Sequence, residues 1–241
     1  MKTRSEQIAA VRAAWQADPD IGDLADRLHI TPNDTGASGS WLVIGDVPTI
    51  AARRKAPRLA RGVLATGEVE DRVFLEPAIC ESDEALAREV RTTLRSEPQL
   101  EAIRVLECGS RPPTQNQPWI GVIVHSGIIH LGGWVPEFSI AALAEGVAWE
   151  TCATRDVLNL IRYRPPEENR DEAIAAATTT LMREHPRLGD QPIHVEVRNC
   201  RATLSGCVSD DAKLRLAESL CWFAPQVIEI DNQLEISGEL T

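Results

Sequence analysis

One glycine-centred pattern occurs three times in this chain, and it constrains the fold more than any other feature. Ile44-Gly45-Asp46-Val47-Pro48 aligns with Gly132-Gly133-Trp134-Val135-Pro136 and with Ser205-Gly206-Cys207-Val208-Ser209. Val43, Leu131 or Leu204 stands two residues before the glycine, and a valine stands two residues after it. Asp71, Asn159 and Asn232 each lie 26 residues beyond their glycine, within Val69-x-Asp71-x-Val73, Val157-x-Asn159-x-Ile161 and Ile230-x-Asn232-x-Leu234. Between the two marks, Ala56/Leu59/Ala60, Ala144/Val147/Ala148 and Ala217/Leu220/Cys221 form the i, i+3, i+4 stripe of a helix packed on a sheet. Three copies at invariant spacing are an internal repeat.

The middle copy is the clearest. Val122 and Val124 alternate, His125-Ser126-Gly127 makes a tight turn in which Gly127 takes a positive φ, and Ile129, Leu131, Gly133 and Val135 alternate on the return strand. Pro136 ends the pairing and leads into a helix. Each copy reads α-β-β-α-β, giving an α+β chain of three tandem domains at 1–78, 79–166 and 167–241, each a small mixed sheet packed by two helices. In the first copy we expect helices at about 5–17 and 49–63, the second kinked or shortened by Pro57. Its strands fall at about 24–30, 41–47 and 68–75, with a polar loop at 31–40. The second copy has a helix at about 82–96 capped by Ser82, a helix at 137–148 and a last strand at 156–163. It also carries an insert at about 101–118, in which Ile103–Leu106 forms an added strand and 109–118 an exposed polar loop. The third copy has helices at about 170–183 and 210–222, strands at 193–198, 201–208 and 227–236, and Asn199-Cys200 at the hairpin turn. Linkers fall at 76–78 and 164–169.

Charge narrows the function. A net −11 opposes general nucleic-acid binding and broad attraction to anionic membranes. No run approaches a membrane-spanning helix and the N-terminus lacks a signal-peptide pattern, so the expected location is cytoplasmic. The six cysteines form no C-x-x-C and are expected to be small core residues. The five histidines show no metal-ligand spacing, and no G-x-S-x-G elbow or phosphate-cradling glycine loop occurs. We therefore expect no catalytic residue, no metal and no cofactor.

The pattern V-x-V-x-x-G-x-V/I-x-L-x-G-x-V, a helix, then V-x-N-x-L resembles the BON domain, and three contiguous copies resemble the triple-BON bacterial proteins. Copies two and three fit well. Copy one fits from Trp41 onward, with Asp71 in place of the asparagine. The resemblance implies a non-enzymatic module associated with phospholipid or the envelope. For triple-BON proteins it implies self-association as trimers around a central passage, small-molecule transport and a stress role. It also implies that Gly45, Gly133 and Gly206 let helix and strand approach closely, and that Asn159 and Asn232 bond local backbone near a strand bend.

Three sets of residues are candidate sites. Trp149 and Trp222 both stand 16 residues past their glycine, where copy one has Arg61. Core packing is the first reading, and an aromatic contact to a subunit or apolar ligand the second. Trp134 lies opposite Leu131 and Val135 and needs a cover. Arg53, Arg54, Arg58 and Arg61 form a basic helix face that pairs with an acidic subunit surface or, less favoured, a lipid phosphate. The leading expectation is a homo-oligomeric, non-enzymatic protein carrying a small-molecule or lipid-like ligand. The alternative is a peripheral phospholipid-binding scaffold, and the weakest an enzyme built on His125 or His130.

Overall fold

A computed structural model of the chain describes residues 3–33, 40–64, 68–76, 82–107, 109–113, 117–163, 170–224 and 227–237. The chain forms two compact units, Met1–Glu76 and Pro77–Thr241. The interior of the first loop (34–39), both expected linkers apart from Glu76, and Cys80 and Cys108 lie outside the described residues.

In the first unit, helix α1 (Arg4–Ala17) starts at a reciprocal cap. The Thr3 hydroxyl accepts from the Glu6 N–H, and the Glu6 carboxylate accepts from the Thr3 N–H. Strands β1 (His29–Pro32) and β2 (Trp41–Val47) pair antiparallel, and β3 (Val69–Leu75) runs parallel to β2. The link between β2 and β3 is helix α2 (Ile50–Leu64), whose Ala56 and Ala60 are fully buried. Their small side chains admit Trp15 of α1, whose indole N–H donates to the Ala56 carbonyl at 2.9 Å.

Two expectations fail here. Residues 22–27 form a 3-10 helix rather than a strand, and β1 begins only at His29. The buried residues Ile21, Ala25 and Leu28 recur every three to four positions, the period of a helix and not of a strand. Pro57 does not shorten α2, which continues to Leu64 with Pro57 buried inside it.

The second unit contains two sheets. Helix α3 (Asp83–Ser96) is capped by Ser82, whose hydroxyl accepts from the Ala85 N–H. Strands β4 (Arg104–Leu106), β5 (Trp119–His125), β6 (Ile128–Val135) and β7 (Asp156–Tyr163) form one sheet in that spatial order. The added strand expected in the insert is β4, parallel to β5. Strands β8 (Ile193–Arg198), β9 (Arg201–Val208) and β10 (Glu229–Ile236) form the other sheet, in the order β10-β9-β8. Helices α4 (Phe138–Glu150), α5 (Arg170–Glu184) and α6 (Asp211–Phe223) complete the unit. Both hairpins turn on two residues of positive φ, Ser126-Gly127 and Asn199-Cys200. That is the geometry which matches the twist of paired strands.

Each turn is held from a distance. The Asp83 carboxylate accepts from the Ser126 and Gly127 N–H groups at 2.7 and 2.9 Å. Asp171 accepts in the same way from Asn199 and Cys200.

The repeat glycines have a different reason from the one expected. Gly133 and Gly206 have φ of 141° and 117°, and a Cβ at either would collide with the carbonyl oxygen of the neighbouring strand or its approach, Trp119 or Pro192. At these two the close approach is therefore between strands, not between helix and strand, whereas a Cβ on Gly45 would meet the carbonyl oxygen of Arg27, the last residue of the 3-10 helix. Asn159 and Asn232 each accept the N–H two residues on, from Ile161 and Leu234, and donate to Glu145 and Glu218 of the helix behind. Asp71 keeps the first bond, to Val73, and receives Arg53 on its other oxygen at 3.4 Å.

Three of the four described cysteines are not core. Cys152 is exposed, Cys200 and Cys207 are half-buried, and Cys221 alone among the described four is buried. Cys200 is spent on a turn and Cys207 on the face of its sheet away from the helices.

Candidate functional site

The helices of the second unit cover one face of the β4–β7 sheet. Ile120, Val122, Ile129, Leu131, Val135, Val157 and Ile161 point to them and are buried. Strand alternation puts Trp119, Gly121, Ile123 and His125 of β5 on the opposite face, with His130, Gly132 and Trp134 of β6 and Leu158 and Leu160 of β7. The register sets these in rows: Ile123 beside His130 beside Leu158, then Gly121 beside Gly132 beside Leu160.

This face is apolar where it has no helix to cover it. Ile123, Leu158 and Leu160 are 52%, 42% and 66% exposed. A cavity of about 440 Å³ opens on it, lined by Gly121 and Gly132 and by Trp119, Ile123, His130 and Leu160. The insert closes one side, through Leu106, Glu107, Gly109 and Ser110. The cavity falls in the range of pockets that hold small organic molecules.

The third repeat supplies an internal control. Its sheet has the same register, and at the positions matching Ile123, His130, Gly132, Leu158 and Leu160 it carries Glu196, Thr203, Ser205, Asp231 and Gln233. The fold thus accepts polar residues at all five places. The apolar set, together with the inserted wall, is particular to the second sheet.

The residues singled out from sequence lie elsewhere. Trp149 and Trp222 are each only 6% exposed, and the Trp149 indole nitrogen is buried with no hydrogen-bond partner. Trp134 is half-buried on the cavity's face, directly across from Trp119, but in the next row. Gly127 is in the turn, and Gly133 faces the helices.

The basic face of α2 belongs to the first unit and is drawn into that unit's own pairs. Arg53 meets Asp71, Lys55 meets Asp18 at 3.6 Å and also Asp20, and Arg61 donates to the Val69 carbonyl at 3.4 Å. Burial alone would lower the Lys55 pKa, but the Asp20 and Asp18 carboxylates outweigh it and hold the ammonium above its usual range. Arg54 is half-buried and Arg58 exposed.

Sequence reasoning passed over Trp119, Gly132, Ile123 and Leu160. The available signal was apolar residues on both faces of β5 and β7, where one helical layer needs only one apolar face. Among the described residues, no group of three or more His, Cys, Asp or Glu could hold a metal ion. No helix among them is long and apolar enough to cross a membrane.

The model of the BON domain matches residues 112–165 and 170–238, just over half of the chain. The chain belongs to the BON domain family. Two solved structures of CdsD, a structural protein of the type III secretion system of Chlamydia trachomatis, are similar to it at a low level. The first, its C-terminal domain, is 16% identical with a TM-score of 0.26, over 98% of this chain and 100% of that one. The second is 17% identical with a TM-score of 0.24, over 98% and 94%. Likenesses this weak carry no conclusion about this chain. No curated protein matches it.

Proposed function

We propose that this chain is a non-enzymatic, self-associating binding protein of the triple-BON type, and that the second sheet holds a small apolar ligand. The observation that supports the reading is the contrast between sister sheets. Where the third repeat presents Glu196, Thr203, Ser205, Asp231 and Gln233 to solvent, the second presents Ile123, His130, Gly132, Leu158 and Leu160 around a cavity. Exposed apolar area of that kind marks a surface that binds something. Self-association would cover what the ligand leaves bare. Phospholipid docking through Arg53–Arg61 is the weaker reading, because Asp18, Asp20 and Asp71 already neutralise much of that face.

Native mass spectrometry of gently purified protein tests the proposal. The expected result is a defined oligomer carrying an extra mass. The double variant Ile123→Glu, Leu160→Gln, which installs the third repeat's residues, should keep its circular dichroism and shed that mass. A bare monomer from the unaltered chain would overturn the reading.

A further inference from the structure

We propose that the occupant of this cavity is a planar aromatic molecule without negative charge, seated on the backbone of Gly132 against the indole of Trp119. The inference rests on the binding role proposed above and adds the chemistry of the ligand.

Shape comes first. The two facing glycines are not equivalent. A Cβ on Gly121 would lie 3.1 Å from Cζ3 and 3.8 Å from Cε3 of Trp119, so the indole already lies over Gly121. A Cβ on Gly132 would meet nothing within 4 Å. The hollow is therefore centred on Gly132, with Trp119 on one flank and Leu160 on the other. A bare peptide floor between an aromatic wall and an aliphatic wall suits a flat ring. Ring against indole is worth about 0.5–1.5 kcal/mol beyond the area it buries.

Charge comes second. The lining contains the Glu107 carboxylate and the imidazoles of His125 and His130, with no lysine or arginine among its described residues. The chain as a whole carries −11. A carboxylate, sulfonate or phosphate on the ligand would enter against Glu107 and the wider field with no lysine or arginine in the described lining to meet it. An uncharged ring, or one bearing an amine, meets no such opposition. His130 and Ser110 remain to accept or donate a hydrogen bond at the rim.

Binding of three fluorescent probes to the full chain tests the inference: Nile red, which is uncharged, proflavine, which is cationic, and anilinonaphthalene sulfonate, which is anionic. Nile red and proflavine should bind, with the sulfonate at least about tenfold weaker. Gly132→Leu, whose Cβ would meet nothing within 4 Å, projects a side chain into the hollow and should weaken Nile red and proflavine at least about tenfold, with circular dichroism and subunit number unchanged. Equal or tighter binding of the sulfonate would overturn the charge argument. Undiminished binding to a folded Gly132→Leu variant would overturn the site. Failure of all three probes would overturn the ligand class, while the oligomer and its retained mass would still decide the binding role separately.

Discussion

Gly132 and Gly133 are neighbours with opposite duties. Gly133 holds a φ of 141° and abuts the Trp119 carbonyl, whereas Gly132 faces open space. Alanine at 133 should cost at least about 2 kcal/mol, from a backbone conformation that L residues rarely adopt and from the collision. Alanine at 132 should gain about 0.5 kcal/mol by restricting the unfolded chain. Urea midpoints with unchanged slopes would separate the two, and equal shifts would refute the assignment. The repeat makes Gly133 conspicuous because Gly45 and Gly206 share its place. Gly132 aligns with Ile44 and Ser205, so the alignment that reveals the fold hides the cavity. Structural residues are what the copies share, and the candidate site is what one copy has alone. The same reasoning explains Asp71: the repeat exposed its position, but not that Arg53 would meet the second carboxylate oxygen, which stands where the asparagine carries its donating amide nitrogen.

At the scale of elements, charge at helix ends does more than suit a dipole. Asp83 was legible as a first-turn acid, but its bonds to a turn more than forty residues away were not, since nothing local records them. Those two backbone N–H groups, Gly127 first, hold its carboxyl below the usual aspartate value of 3.8. A depressed carboxyl contributes stability above its unfolded value and loses it as pH falls through the folded one. Asp83→Ala should therefore lower stability by about 1 kcal/mol near neutral pH, with the difference fading below 3.8. Glu150 ends α4 and works in the other direction. Burial of its carboxyl, and then the Glu97 carboxylate at the end of α3, push its pKa from 4.5 up to about 7. Ionising it costs the folded state, and the cost grows as pH rises from 4.5 to about 7. Glu150 is exposed as a residue, so solvent screening keeps the effect near 1 kcal/mol. Glu150→Gln should raise the melting temperature above neutral pH and leave it unchanged in mild acid. A gain confined to acid would contradict this assignment.

Across the whole molecule, three repeats become two compact units. In the second, α4 packs on α5 and α6. Gly146 of α4 leaves the space that the Leu181 side chain of α5 occupies, and Leu181 is 4% exposed. Calorimetry should accordingly resolve two transitions, one for residues 1–76 and one for 77–241. Leu181→Ala should lower only the second, by about 2–4 kcal/mol. A shift of both, or a single transition, would count against this division. The spacing of a repeat reports what packs within it, not which helix faces meet between copies. One clue was present: α4 buries Phe138, Ala141, Leu143, Ala144, Val147 and Trp149, which lie all round the helix rather than on a single stripe.

Strand β10 is outermost in its sheet, and such a strand offers its spare backbone groups to any passing chain. Its alternate residues Glu229, Asp231, Gln233 and Glu235 are all exposed. Two copies brought together along this border would set carboxylates against carboxylates. That run of acidic side chains opposes edge-to-edge pairing of copies along β10, the way natural sheets keep an outer strand from recruiting its own kind.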